Sequence, residues 1–523
     1  MTTEVNISER LPTGVAGLDR ILEGGLLRSG VYIAEGPPGA GKTLLATQIC
    51  FHAARRGERA LYTTLLAETH ERMLKHLSRM HFFDASLVPD GVYFISAFRA
   101  LQQDGLPALL RLLRGAIVER KASLLVLDGM VTAEEVSLSG NELSNALVQD
   151  AGSSHQFKRF IHELQTVCAM TGCTTLLLSS TERPRLFHPA YTMVDGILEL
   201  TNELSGLKTM RQVNVRKMRG TDQVVGKHNF EIRDEGIVVQ PRMETELHAP
   251  ERAELGMASA SDVRMAFGVP GLDAMLAGGL PENSVSMVVG PTGAGKTLLA
   301  LQFLCEGAKK GEKGLFFGFF ERPAALAHKA RRLGLPFQEH VEEGAIEVLW
   351  QRPIEAILDA LAERLFTTVR KQKIKRLVID SIQGFQLSLD DYPRRMRGVF
   401  AAIADELERL GVTTLYTVET REVFGPKIEL PLEGVSAATQ NIILLRHVEL
   451  GSRMRLLISV LKVRDSEHDR TVRELIISAD GLHIADALSD AQQDLSASAL
   501  YPPSPSTPIA DTSQPTRRSS KRK

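Results

Sequence analysis

The chain is 523 residues long, with 62 basic and 63 acidic side chains and 43% hydrophobic residues. That length predicts two or three domains with ample core, and the balanced charge excludes a global field that would draw the chain to nucleic acid or a membrane surface. No leader pattern opens the sequence and no apolar run is long enough to cross a bilayer, so a soluble, cytoplasmic protein is expected.

After a short polar start, Thr13-Gly14-Val15-Ala16-Gly17-Leu18-Asp19 is followed by Gly24-Gly25-Leu26. An apolar strand, Val31-Tyr32-Ile33-Ala34, then leads into Gly36-Pro37-Pro38-Gly39-Ala40-Gly41-Lys42-Thr43. This octapeptide fits the pattern of a phosphate-binding loop. Its glycines let successive backbone N–H groups turn toward a polyphosphate, its lysine reaches the terminal phosphates, and its threonine hydroxyl faces the Mg2+ they carry. Thr43 to Ile49 reads as a helix, which adds its N-terminal N–H groups and dipole to the cradle. Strands follow at Ala60–Leu66, Leu124–Leu127 and Thr174–Leu178, and Arg211–Lys217 reads as part of a closing hairpin.

The second half repeats this order. Phe267-Gly268-Val269-Pro270-Gly271-Leu272-Asp273 precedes Gly278-Gly279-Leu280, the strand Val285–Val289 and a second loop, Gly290-Pro291-Thr292-Gly293-Ala294-Gly295-Lys296-Thr297. The offset is constant, 290 − 36 = 254, which is the size of a domain and not of a solenoid repeat. Strands are expected at Leu315–Phe320, Leu377–Ile379, Thr413–Thr417 and Arg455–Val463, with an amphipathic helix at Ala324–Leu333. Near-continuous apolar strands alternating with helices predict an α/β fold, each repeat a mainly parallel sheet with helices on both faces. The domains are expected at 1–243 and 262–488, with a polar linker at 244–261 and a disordered, basic tail at 489–523.

Asp128 and Asp380 end apolar strands, where a parallel sheet faces its phosphate loop. They are the candidate magnesium-side aspartates, the other role for such a residue being the cap of the next helix. Glu68 and Glu321 follow the strand after each loop helix. If that strand lies beside the loop strand, they face the γ-phosphate and can polarise water; otherwise they are glutamates favoured by a helix start. Cys50, Cys168, Cys173 and Cys305 are expected to be reduced structural thiols, because no zinc-ligand set accompanies them. The basic runs Arg394–Arg397 and Lys371–Arg376 read as solvated helix ends.

The order G-x-x-G-L-D, G-G-L and G-x-x-G-x-G-K-T, twice in one chain, resembles the KaiC family, the ATPases of cyanobacterial circadian clocks. The resemblance runs from about Leu11 to Asp486. It implies tandem RecA-like P-loop NTPase domains, a homohexamer with ATP and Mg2+ between neighbouring subunits, slow ATP hydrolysis, and serine/threonine autophosphorylation in the second domain. The family's trans-acting lysine-x-arginine pair matches Lys217-Met218-Arg219 and Lys462-Val463-Arg464. Two departures are visible. The family's paired glutamates appear here as Ala67-Glu68 and Phe320-Glu321, so one carboxylate of each pair is missing. Its adjacent phosphoacceptors appear as Ser436-Ala437, which leaves at most one acceptor, Ser436, the other reading of that serine being a polar loop residue.

The expected function is therefore a nucleotide-driven ring ATPase that acts as a switch read by regulatory protein partners. A DNA-dependent ATPase of the same fold is the first rival, and the balanced charge counts against nucleic acid as a partner. An ATP-sensing scaffold with little turnover is the second, and the missing glutamates favour it.

Overall fold

The computed structural model describes residues 10–65, 70–133, 146–180, 189–205, 208–221, 223–247, 262–352, 357–389, 395–420, 439–450, 453–464 and 466–487. Glu68, Ser436, residues 248–261 of the expected linker and the chain from 488 onward lie outside them. The chain resolves into two compact units, the first built mainly on residues up to 256 and the second mainly on those from 257.

In the first unit the elements run β1 (Val31–Gly36), α1 (Lys42–Arg55), β2 (Ala60–Thr64), α2 (His70–Leu77), β3 (Val92–Ser96), α3 (Phe98–Arg120), β4 (Leu124–Asp128), α4 (Ala146–Thr171) and β5 (Thr174–Ser180). Four strands close it: β6 (Gly196–Ser205), β7 (Lys208–Met218), β8 (Lys227–Arg233) and β9 (Gly236–Gln240). They form one nine-stranded sheet in the order β9-β8-β7-β6-β1-β5-β4-β2-β3. From β6 to β3 every neighbouring pair is parallel, and β7, β8 and β9 pair antiparallel at the other edge.

Alternation along β1 explains why both faces are covered. Tyr32 and Ala34 join a core with Ala46, Ile49 and Phe51 of α1, whereas Val31 and Ile33 join a second core with Leu109 and Leu113 of α3 and Phe160 of α4. Each such buried aliphatic or aromatic side chain contributes about 1.5–3 kcal/mol, which is why apolar residues fill both sets of positions.

The second half of the chain repeats the plan with β10 (Val285–Gly290), α5 (Lys296–Lys309), β11 (Gly314–Gly318), α6 (Pro323–Arg332), β12 (Ile346–Trp350), α7 (Leu358–Gln372), β13 (Arg376–Asp380), α8 (Met396–Arg409), β14 (Thr413–Glu419), β15 (Asn441–Leu450), β16 (Arg453–Val463), β17 (Arg473–Ser478) and β18 (Gly481–Ala487). Its sheet order is β12-β11-β13-β14-β10-β15-β16-β17-β18, the mirror listing of the first. Two tandem RecA-like α/β domains result, each with a mainly parallel sheet. Among the described residues no helix is long and apolar enough to cross a membrane.

Three sequence expectations need correction or extension. The strand after each loop helix does not lie beside the loop strand: β4 and β5 separate β2 from β1, and β13 and β14 separate β11 from β10. Arg376 is no solvated helix end. It opens β13 and is fully buried, ion-paired to Glu312 and bonded to the carbonyls of Ala266 (2.6 Å) and Phe303 (2.9 Å). Each closing hairpin is also followed by a second one, β8–β9 and β17–β18, whose mixed strands carry no strong alternation.

Candidate functional site

Both loops leave the C-terminal end of the central parallel strand and enter a helix. Gly39 and Gly41 adopt φ of 77° and 99°, and Gly293 and Gly295 adopt 76° and 82°. A residue with a Cβ is strained in that left-handed region, so glycine at these places turns the chain tightly enough to point its N–H groups inward. The G-x-x-G-L-D segments prove to be structural. Asp19 accepts from the Thr13 N–H (2.8 Å), the Thr13 hydroxyl (2.6 Å) and the Gly14 N–H (3.0 Å), and Asp273 accepts in the same way from Phe267 (2.7 Å) and Gly268 (3.0 Å).

Lys42 Nζ donates to the carbonyls of Gly36 (2.8 Å) and Pro37 (2.9 Å), and Lys296 Nζ to those of Gly290 (2.8 Å) and Pro291 (2.7 Å). Burial lowers the pKa of both lysines; Asp128 opposes the shift at Lys42, and Glu419 and Asp380 oppose it at Lys296. A cation desolvated in this way gains from an anionic ligand placed over the loop.

The candidate aspartates come to the same loops. Thr43 Oγ1 lies 3.3 Å from Asp128 Oδ2, and Thr297 Oγ1 lies 3.0 Å from Asp380 Oδ2. Register explains the meeting: one strand separates β4 from β1 and β13 from β10, and Asp128 lies level with Ala34 and Ile379 with Met287, so each aspartate sits two residues before the first glycine of its loop. Asp128 also accepts from the Tyr62 hydroxyl at 2.6 Å, and Asp380 accepts from Thr417. Burial raises the Asp380 carboxyl above its ordinary range, against the hydrogen bonds from Thr417 and Thr297. A hydroxyl beside a carboxylate is a hard-oxygen donor set that fits Mg2+, which takes one or two protein oxygens and completes its shell with phosphate and water.

Around the second loop a cavity of about 800 Å3 is lined by Lys296, Thr297, Glu321, Lys329, Asp380 and Glu419, among others. That volume lies within the range of nucleotide-sized ligands. Glu321 reaches this cavity although two strands separate its own strand from the loop strand. The Phe319 N–H donates to the Asp380 carbonyl at 3.1 Å, so the chain after β11 turns inward over the end of β13. Glu321 is ion-paired to Lys329. Sequence reasoning missed Lys329 and also Glu419, which ends β14 directly beside Gly290. A carboxylate ending an apolar strand is the signal that singled out Asp380, and it applies equally to Glu419.

The lysine-x-arginine pairs lie elsewhere. Lys217 pairs with Ile197 at the start of β6, and Lys462 pairs with Ile442 at the start of β15. These positions are at the N-terminal end of the sheet, roughly 10–13 Å along the central strand from its loop at ~3.3 Å per residue. Lys217 Nζ donates to the carbonyls of Tyr191 (2.8 Å) and Val194 (2.7 Å), Arg219 to that of Thr192 (2.8 Å), and Lys462 to that of Thr439 (2.9 Å). Neither pair meets the loop of its own unit. The four cysteines are buried free thiols, and burial raises the pKa of each, to about 11 for Cys168 and about 12 for Cys305.

Comparison with known proteins agrees with this architecture. The family model described as the KaiC ATPase matches residues 11–244 and again 265–489. The circadian clock oscillator protein KaiC of Picosynechococcus is 26% identical over 509 residues, covering 94% of this chain and 92% of the relative. The KaiC of Prochlorococcus marinus is 27% identical over 506 residues, 93% and 94% of the two chains. The circadian clock protein KaiC3 of Synechocystis is 26% identical over 511 residues, 94% and 95% of the two chains.

Proposed function

The chain belongs to the KaiC family of ATPases, and from that membership we propose that both of its units bind ATP with Mg2+ in their glycine loops and hydrolyse it. The observation that carries this reading is the twice-built meeting of loop lysine, loop threonine and strand-end aspartate. The Mg2+ that accompanies ATP supplies charge neutralisation at the phosphate oxygens, and Thr43 with Asp128, and Thr297 with Asp380, are the residues that would hold it. Lys42 and Lys296 exchange their loop carbonyls for phosphate oxygens. Glu321 orients the attacking water in the second unit, and Glu68 has that role in the first.

Lys217, Arg219, Lys462 and Arg464 serve a neighbouring subunit's nucleotide. Their distance from their own loops supports this, because a group that stabilises γ-phosphate charge must lie within contact of it. Such sharing requires self-association, for which a homohexamer is the family's form. The protein is proposed to work in the cytoplasm as a nucleotide-driven switch for protein partners, with Ser436 as the acceptor of an autokinase activity in the second unit. The domains are taken as 1–243 and 262–488, joined by 244–261.

Lys42→Ala and Lys296→Ala test the core of this proposal. Each is expected to remove about one ATP per chain and to lower phosphate release by one to two orders of magnitude from the affected unit. Unchanged binding stoichiometry in either variant would refute that unit's site. Labelled ATP followed by peptide mapping tests Ser436 separately.

A further inference from the structure

The wall of the second cavity carries three cations, Lys296, Lys329 and Arg332, and three carboxylates, Glu321, Asp380 and Glu419. Lys296 is occupied by loop carbonyls, and Asp380 by two threonine hydroxyls. Lys329, on α6, instead spends its ammonium on Glu321, whose Oε1 it meets, while Glu321 Oε2 is buried without any partner. The carboxylate is thus held from one side only. The pair is also partly open to solvent, with the lysine side chain 43% and the glutamate 28% exposed. An ion pair so placed is weakly bound and yields to a partner of higher charge.

A triphosphate entering this cavity is such a partner. It brings several negative charges, more than the single charge of Lys296 can balance, to a wall whose other cations are Lys329 and Arg332. The cavity that would receive it is lined by Gly293, Gly295 and Lys296 of the loop and also by Glu321 and Lys329. An ammonium has three donors but one position, so contact with the terminal phosphate weakens its hold on Glu321.

We propose that Lys329 is a positioning residue that reads the γ-phosphate: it clamps Glu321 when that phosphate is absent and releases it when ATP occupies the cavity. The released carboxylate is then free to accept a hydrogen bond from water. ADP, which lacks the third phosphate, leaves the clamp closed. This inference rests on the second unit being an ATP site, as proposed above.

Competition for one ammonium has a signature that simple scaffolding lacks. Removing the lysine weakens ATP relative to ADP, whereas neutralising the glutamate tightens ATP by removing the rival for Lys329. The test is equilibrium dialysis of the full chain carrying Lys42→Ala, with labelled ATP or ADP and Mg2+. Lys329→Met is expected to lower the ATP-over-ADP preference roughly tenfold, as loss of one charge-assisted hydrogen bond does, and Lys329→Arg to retain most of it. Glu321→Gln is expected to tighten ATP several-fold, with ADP unchanged, and that gain should vanish when Lys329→Met is added.

An unchanged ATP-to-ADP ratio in Lys329→Met, or Glu321→Gln without effect on ATP, overturns the clamp while leaving the site standing. Failure of the Lys42→Ala chain to bind either nucleotide overturns the second site itself, and the clamp with it.

Discussion

The two units share a backbone plan but differ in what surrounds their glycine loops. In the first, the residue before the loop is Glu35, 1% exposed, which accepts from Arg216 (2.8 Å) and from the Tyr191 hydroxyl. In the second, Val289 and Leu461 stand at the corresponding places, before Gly290 and before Lys462. Asp128 is bonded by Tyr62, whereas Phe316 fills that core position in the second unit and Thr417 bonds Asp380 instead.

The turn before the second strand shows the same divergence. Glu58 pairs with the partly exposed Arg28, and its counterpart Glu312 pairs with the fully buried Arg376. The guanidinium of Arg376 lies 4.5 Å from the Phe303 ring centre, and register puts Leu124 at its place in the first unit. Apolar strand positions and loop glycines set the shared backbone. Polar residues that satisfy one another locally can then change in groups without altering the fold.

The largest effect expected from this contrast is at Arg376. Arg376→Ala removes one partner of a buried pair and should cost about 3–5 kcal/mol, confined to the second unit. Arg28→Ala, in the more exposed pair, should cost about 1 kcal/mol or less in the first. Hydrogen exchange resolved by unit reads both, and equal losses would erase the distinction. Glu35→Val should destabilise the first unit by about 2–4 kcal/mol, since Arg216 and Tyr191 lose their acceptor. Adding Arg216→Leu, which copies the second unit, should recover much of that loss; a strictly additive double variant would show that the cluster does not act as one.

The smallest effect is a pH dependence. The hydrogen bond from Arg28, helped by Ser123 and opposed by burial, holds the Glu58 carboxyl below its ordinary value of 4.5. A depressed folded-state pKa stabilises the fold above the unfolded value and loses that contribution as pH falls through the folded one. Acid titration of the first unit should therefore show a loss below about pH 4.5 that Arg28→Ala reduces. An identical acid profile in the variant would remove Arg28 as its cause.

Much of the fold and part of the site were legible in the residues alone. The constant offset between Gly36 and Gly290 declared two related units, and runs such as Leu124–Asp128 declared buried parallel strands. Asp128 and Asp380 were found because a charge ending an apolar strand is a local signal. What spacing could not convey is which strands lie side by side. Parallel neighbours are joined through long crossovers, and their lateral order leaves no local trace. The sequence therefore left the adjacency of β2 and β1 as a condition, which the sheet order does not meet, yet Glu321 still borders the second cavity, because the turn after β11 crosses the end of β13.

Local patterns thus determined the duplication, the loops and the character of each strand, since these depend on neighbours in the chain. Tertiary packing alone decided that Arg376 is buried, that Glu35 meets Arg216, and that Lys329 holds Glu321. Each of those contacts joins residues whose nearness is a property of the folded sheet, and a charged side chain in the sequence does not announce whether water or another charge will satisfy it.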